Sequence, residues 1–300
     1  MTNFAITLSK DFNFMNGFIN YYKPSGISSA YAINRIKKLF KGYKVGHMGT
    51  LDPLAEGVLP LAVGKSTRLF DFLLDKTKVY IAEFTFGYQT DTLDRGGKIV
   101  KDGGKTPSYK EIESIIPNLV GKVMQVPPSF SAKNVGGERS YNLARRGVEV
   151  ELKPKEVEID GIKILSEKGS VFTFEITCKG GTYIRSICRD MANLLGTFAT
   201  MTALKRTVSG VFSLENSVSE EDVKNATDIK QLLIKPDSVL TLNKVKLNKF
   251  QSVELLNGRP FNLDVADGTY SVYDSDDCFV GVGIVTNYNL KIKAYIKSDE

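Results

Sequence analysis

Val45 to Leu69 reads VGHMGTLDPLAEGVLPLAVGKSTRL. Gly46 and Gly49 permit a tight loop that other groups can approach closely, Asp52 follows, and Pro53 fixes the next φ at about −65°. Two readings of Asp52 stand side by side: an N-cap ahead of a proline at the first helical position, or a carboxylate displayed by the loop for chemistry. His47, the single histidine, is likewise either a hydrogen-bonded loop residue or a catalytic base. Gly64-Lys65-Ser66-Thr67 imitates the end of a phosphate loop, but Leu59 occupies the place of the required first glycine. The cradle of backbone amides is therefore missing, and a nucleotide-hydrolase reading fails.

Ahead of this stretch, Lys23-Pro24-Ser25-Gly26 gives way to a helical pattern capped by Ser28 or Ser29, with Ile33, Ile36, Leu39 and Phe40 at helical spacing. Arg35, Lys37, Lys38, Lys41 and Lys44 on or beyond it form a solvated face or a phosphate-binding edge. Behind it, Val79 to Gly87 alternates, with Tyr80, Ala82, Phe84 and Phe86 on one face, which predicts a strand with one buried side. Ser108 and Glu111 make a capping box for a short helix with Ile112, Ile115, Ile116 and Leu119 inward, stopped near Gly121.

Residues 127–156 are rich in Pro, Gly, Ser and basic residues, which suits an exposed and functional excursion. Its Lys133, Arg139, Arg145 and Arg146, interleaved with Phe130 and Tyr141, offer cations and stacking surfaces to looped RNA. Val171 to Cys178 is a second alternating strand. Gly180-Gly181-Thr182 leads from it to a helix with Ile184, Ile187, Cys188, Met191, Leu194 and Leu195 inward and Gly196 at its C-terminal cap. Tyr183 and Arg185 sit at that strand-to-helix junction, where a rigid sheet positions the following loop. After Lys235-Pro236-Asp237 the pattern turns to short strands and turns, GTYSVYD, FVGVGIV and LKIKAYI, a small all-β unit expected to dock on the first. Gly281 and Gly283 begin a dinucleotide fingerprint that fails at Thr286, and Asn225-Ala226-Thr227 is a glycosylation sequon irrelevant to an unsecreted protein.

Composition narrows the class. A 300-residue chain with 42% hydrophobic and 25% charged residues suits an ordered globular protein, with no run of about 20 apolar residues and no leader pattern at its start. A cytoplasmic location follows. Three cysteines, Cys178, Cys188 and Cys278, without C-x-x-C spacing read as free thiols, and one histidine leaves little from which to build a transition-metal site. The net charge of +6 favours a polyanionic partner. Residues 241–300 carry seven Lys/Arg against eight Asp/Glu, so the earlier residues hold the whole positive excess, 33 against 26.

The stretch from Val45 to Leu69 closely resembles the catalytic motif of the TruB-type family of tRNA pseudouridine synthases, and further matches follow in the family's order. FINYYKPSGISS resembles its Lys-Pro motif, KVYIAEFTFG its tyrosine strand, DTLDRGGKI its acidic turn, and VPPSFSAKNVGGERSYNLARRG its RNA-gripping insertion. CKGGTYIRSICRDMANLLG is similar to its Tyr-x-Arg motif and ALKRTVSG to a substrate-side strand. The resemblance runs from about Met15 to the end, with the last 60 residues similar to a PUA-type RNA-binding domain. Departures are residues 1–14 ahead of the usual start, Tyr22 where an acidic residue is common, and Gly64-Lys65-Ser66 in place of Gly-x-Ala.

The resemblance implies an α+β pseudouridine synthase fold: a mixed, largely antiparallel sheet with flanking helices over residues 1–240, and a PUA-like β domain over 241–300. It implies Asp52 as the essential aspartate, Tyr80 as the ring packing on the target uracil, and Arg185 as the ion-pair partner of Asp52. Tyr183 and Leu204 match residues around the flipped nucleotide, His47 one that contacts RNA, Asp94 one that bonds the uracil edge, and Lys23 and Pro24 a pair supporting the site from behind. The expected reaction is isomerisation of the T-loop uridine at tRNA position 55, by a monomer that needs no cofactor, protein partner or membrane. Rival expectations are the catalytic subunit of a guide-RNA ribonucleoprotein, which activity of the chain alone on a T-arm hairpin would exclude, and a non-catalytic RNA-binding or tRNA-folding protein. The second has no use for a carboxylate in the pocket.

Overall fold

The computed structural model describes residues 15–73, 76–131, 134–135, 137–146, 148 and 152–297. The chain opens with β1 (Gly17–Lys23), a helix α1 (Ser29–Lys37) and two strands, β2 (Val45–His47) and β3 (Glu56–Val63). Ser28 caps α1 by accepting from the Tyr31 amide, and Ala32 and Ile36 fill its buried face. Arg35 pairs with Glu220, while Lys37, Lys38, Lys41 and Lys44 are exposed. β4 (Lys78–Phe86) follows, and its alternation is the predicted one: Tyr80, Ala82, Phe84 and Phe86 are buried.

A hairpin of β5 (Gln89–Thr90) and β6 (Ile99–Lys101) leads to α2 (Tyr109–Ile115), whose capping box of Ser108 and Glu111 is formed. β7 (Gly121–Gln125) then precedes the insertion, where a hairpin of β8 (Asn134–Val135) and β9 (Glu138–Arg139) feeds α3 (Ser140–Arg145). Lys133 lies outside the described residues, and so do the side chains of Arg139 and Arg145; Arg146 is exposed. The insertion is not all surface, since Ser131 and Ser140 are buried.

β10 (Lys155–Lys168) and β11 (Val171–Cys178) form a hairpin, followed by α4 (Ile184–Leu194), β12 (Ala199–Ser209), β13 (Phe212–Ser213) and α5 (Glu220–Asn225). The α4 stripe is Ile184, Ile187, Cys188, Met191 and Ala192. Leu194, expected inward, is 49% exposed: at 100° per residue it falls at the edge of the stripe, and Leu195, one turn beyond Met191, packs on the core in its place before Gly196 takes φ +64°.

Among the described residues, nine strands make one sheet with β1-β3-β12-β4-β11-β10-β7 as its path, β2 beside β3 and β13 beside β12. Every pairing is antiparallel except β3 with β12. That parallel junction needs Gly57: its φ is +105°, and a Cβ there would lie 2.2 Å from the Arg206 carbonyl oxygen. α4 packs over the sheet, burying Ile187 and Met191 against a core that includes Tyr21, Phe84 and Phe174.

The last strands form a separate sheet, β14 (Asn243–Lys246), β15 (Gly268–Tyr273), β16 (Phe279–Thr286) and β17 (Asn289–Tyr295) in that order. The three strands expected here are joined by β14, parallel to β15, and by α6 (Lys249–Leu256), so this unit is not purely β. It docks through a shared apolar cluster in which Val282, Ala294 and Ile296 meet Phe18, Val58, Ala62 and Leu69. Lys65 serves this joint: its ammonium donates to the Lys297 carbonyl at 3.0 Å and lies over the Tyr295 ring.

Candidate active site

The Asp52-Pro53 step opens a turn rather than a helix. The Ala55 amide bonds the Asp52 carbonyl at 3.0 Å, and β3 begins at Glu56, so the capping reading of Asp52 fails. The turn is clamped from one side by the Lys-Pro segment. Ser29 Oγ donates to the Leu51 carbonyl at 2.8 Å and accepts from the Leu51 amide at 2.9 Å. Ser25 Oγ donates to the Leu54 carbonyl at 2.6 Å, and the Gly26 amide to the Pro53 carbonyl at 2.8 Å.

Lys23 is fully buried, its ammonium donating to the carbonyls of Ile27 at 2.7 Å, Pro24 at 2.9 Å and Pro53 at 3.4 Å. Desolvation lowers its pKa to about 8, against the pull of Asp52. A buried ammonium satisfied by three carbonyls holds two loops together without contacting the cavity, which fits the supporting position expected of Lys23 and Pro24.

The junction between β11 and α4 supplies the other side. Tyr183 is the N-cap of α4, and its amide and carbonyl are both held by Gln125, at 2.8 and 3.2 Å. Two residues on, Arg185 is 4% exposed and reaches four groups: the Asp52 carboxylate from Nε at 2.8 Å, the Asp94 carboxylate at 3.7 Å, and the carbonyls of Thr92 and Phe130, each at 3.0 Å. Every face of the guanidinium fork is thus engaged, and the Asp52 carboxylate is held in one orientation. One-third of the Asp52 side chain still faces open space. Burial pushes its pKa above the ordinary carboxylate range, Arg185 opposes that, and Asp94 reinforces it.

Asp52 and Arg185 wall a cavity of about 270 Å3 together with Tyr80, Tyr183, Leu204, Arg206, Lys78 and Ser131. Burial raises the pKa of Tyr80, and the Arg206 guanidinium opposes it. His47 and Asp94, the other expected site residues, are not among the walling groups. Asp94 accepts from Thr92 Oγ at 2.8 Å and the Gly96 amide at 2.9 Å and stands against Arg185. His47 is half-buried at the end of β2, Nδ1 enclosed without a partner, and desolvation lowers its pKa, keeping the ring neutral near pH 7.

Arg206 was not singled out by the sequence reading. It is 1% exposed, donates to the Val58 carbonyl at 2.7 Å and the Gly49 carbonyl at 3.1 Å, and pairs across strands with Tyr80. It therefore ties the Gly49 loop to the sheet beside the tyrosine. The signal was a lone arginine two residues after Leu204 on the same strand face, a period-2 match to the cavity side. Among the described residues, no group of three or more His, Cys, Asp or Glu side chains could hold a metal ion.

Residues 37–184 match the family model for the TruB family pseudouridylate synthase N-terminal domain, and residues 185–241 that for the tRNA pseudouridylate synthase B C-terminal domain. A protein of Clostridium tetani named tRNA pseudouridine synthase B is 40% identical over 286 residues, covering 93% of this chain and 98% of its own length. A protein of the same name from Ehrlichia ruminantium is 39% identical, covering 89% of this chain and 92% of its own. Among solved structures, a Cbf5-Nop10-Gar1 complex superposes with a TM-score of 0.68 at 22% identity, covering 96% of this chain and 85% of the matched one. That likeness concerns the fold.

Proposed function

The chain belongs to the TruB family of pseudouridylate synthases, and we propose that it isomerises the uridine at position 55 in the T loop of tRNA, with Asp52 as the catalytic nucleophile or base. The observation that carries the assignment of Asp52 is its ion pair with Arg185, 2.8 Å long, on the wall of a cavity sized for a nucleobase. The tRNA substrate is supported by the shared name of relatives that align along nearly their whole length.

In the reaction the bond from ribose C1′ to uracil N1 breaks, the ring turns, and C1′ bonds C5; C5 loses a proton and N1 gains one. There is no net redox change, so the chemistry calls for no redox cofactor. The uridine must leave its stack to enter the cavity, at a cost of a few kcal/mol, offset by stacking on an aromatic ring worth ~1–3 kcal/mol. Tyr80 is that platform, with Leu204 and Tyr183 closing on the nucleotide. Arg185 keeps Asp52 ionised and oriented. His47 and Asp94 serve RNA and base-edge contacts, and Lys133, Arg139, Arg145 and Arg146 the RNA backbone. Residues 1–240 form the catalytic domain and 241–300 an RNA-binding domain. The chain acts as a monomer in the cytoplasm, without guide RNA or protein partner.

An unmodified tRNA transcript incubated with the purified chain alone, then mapped by carbodiimide labelling and primer extension, tests the assignment. A single stop at position 55 is expected. Modification elsewhere would overturn the target, and modification only when a guide RNA is added would overturn stand-alone action.

A further inference from the structure

Among the described residues, three cations stand on the wall of the cavity: Lys78, Arg185 and Arg206. Two of them are engaged inside the protein. Arg185 is 4% exposed and Arg206 1%, and each is held by the carboxylates or carbonyls described above. Lys78 differs in being partly exposed. It begins β4 two residues before Tyr80, so the two side chains leave the strand on the same face. Its stem runs along the mouth of the cavity, which the exposed wall residues Gly49, Thr50 and Gly181 mark. A Cβ on Gly49 would lie 3.6 Å from Lys78 Cε, and one on Gly180 would lie 3.6 Å from Lys78 Nζ. The ammonium therefore stands between two loops that offer backbone and no side chain at these positions. Lys155 Nζ lies 3.5 Å from where a Gly181 Cβ would be, so the Gly180-Gly181 turn has a cation against each glycine. Lys78 Nζ donates to the Lys76 carbonyl at 3.3 Å, a long, solvent-facing bond that an arriving anion can replace or share.

We propose that Lys78 is a substrate-binding residue whose ammonium grips a backbone phosphate flanking the flipped uridine, at the mouth of the cavity; this rests on reading the cavity as the seat of that uridine. A nucleotide that turns its base inward cannot bring its phosphates with it. An anion buried without a partner is costly, and the two buried guanidinium groups already have partners. The phosphates therefore stay at the mouth, and Lys78 is the wall cation that reaches solvent there. The missing side chains at Gly49, Gly180 and Gly181 let a sugar-phosphate chain come close to the protein backbone beside that ammonium. Such a contact carries no base information. It positions the nucleotide and adds to affinity.

The test measures binding of T-arm hairpins in which one phosphate, on the 5′ or the 3′ side of the reacting uridine, is replaced by a neutral methylphosphonate. The 2′-hydroxyl beside that linkage is replaced by hydrogen in both the neutral and the control hairpin, since it would otherwise cleave the linkage. At low salt the wild type should bind the neutral hairpin about tenfold more weakly at one of the two positions, the effect of one lost charge-assisted hydrogen bond. Lys78→Met should bind the control hairpin about tenfold more weakly than the wild type does, with no further loss at that position. On the unmodified hairpin its plot of log Kd against log salt should flatten by about one. The loss should fall on KM, the single-turnover rate at saturating hairpin dropping by less than about threefold. Lys78→Arg, which keeps the charge, should recover most of the affinity. A wild type indifferent to the neutral phosphate at both positions overturns the proposal with no variant needed. So does a Lys78→Met protein that binds like the wild type, or one that suffers the same methylphosphonate losses as the wild type. A wild type that fails to convert the unmodified hairpin defeats the assigned function, whereas one that converts it and fails these comparisons defeats this inference alone.

Discussion

At Asp52, burial and the Arg185 guanidinium pull in opposite directions, and burial prevails, leaving the pKa raised. A carboxyl with a raised pKa holds its proton to higher pH, so the ionised form needed for chemistry is present above that pKa and lost as pH falls through it. The acid limb of kcat/KM is therefore expected above the ordinary carboxylate value of about 3.9. Arg185→Gln removes the lowering influence, and the limb should move to still higher pH, with turnover at neutral pH reduced. pH–rate profiles of the two proteins check this, and an unmoved limb would separate the ionisation of Asp52 from its ion pair. The pairing of Asp52 with Arg185 was legible only through the family resemblance; by themselves a Gly-rich loop ending in Asp-Pro and a Gly-Gly-Thr junction left Asp52 open to a capping role and Arg185 without a partner. Arg206 was not legible, because what marks it is what surrounds it: carbonyls gathered from β3 and the Gly49 loop.

At the scale of elements, the site depends on β12 lying between β3 and β4, which brings Leu204 and Arg206 to the cavity beside Tyr80. Gly57 permits the close parallel pairing of β3 with β12 by its φ of +105° and its missing Cβ. Gly57→Ala should destabilise the fold by at least ~2 kcal/mol, combining left-handed strain with a backbone clash, and should lower activity at temperatures where the protein remains folded. Thermal melts with parallel turnover assays measure both, and an unchanged melting temperature would contradict the packing described. Alternation disclosed β4 and β11 nearly residue by residue, since each has one face in the core. The same rule passed over β14, too short to alternate visibly, and α6, whose Phe250, Val253 and Leu256 are exposed rather than packed. It placed both Leu194 and Leu195 inward, but only Leu195 packs on the core, because two adjacent leucines at a helix end cannot both face the sheet.

The whole molecule joins an active-site sheet to a second, smaller sheet by an apolar cluster and by hydrogen bonds that need particular side chains. Asn16 donates to the Ile296 carbonyl at 3.0 Å and accepts from the Lys65 amide at 2.7 Å, beside the Lys65 contacts with Lys297 and Tyr295. The positive excess lies in the first 240 residues, the part that holds the cavity, while the last 60 are close to neutral. The proposed RNA substrate, an anion, is therefore expected to be drawn to the first 240 residues more than to the last 60, with an attraction that weakens as salt is added. In the function proposed, this one chain, acting through Asp52, exchanges the C5 proton of a tRNA uridine for a carbon–carbon bond to ribose. Release of tritium from a transcript labelled at uridine C5, followed for the wild type and Asp52→Asn with no other macromolecule present, measures it directly. Release near one equivalent per tRNA by the wild type, and none by an Asp52→Asn protein that still binds the transcript, is the expected result; release by Asp52→Asn at the wild-type rate would contradict it.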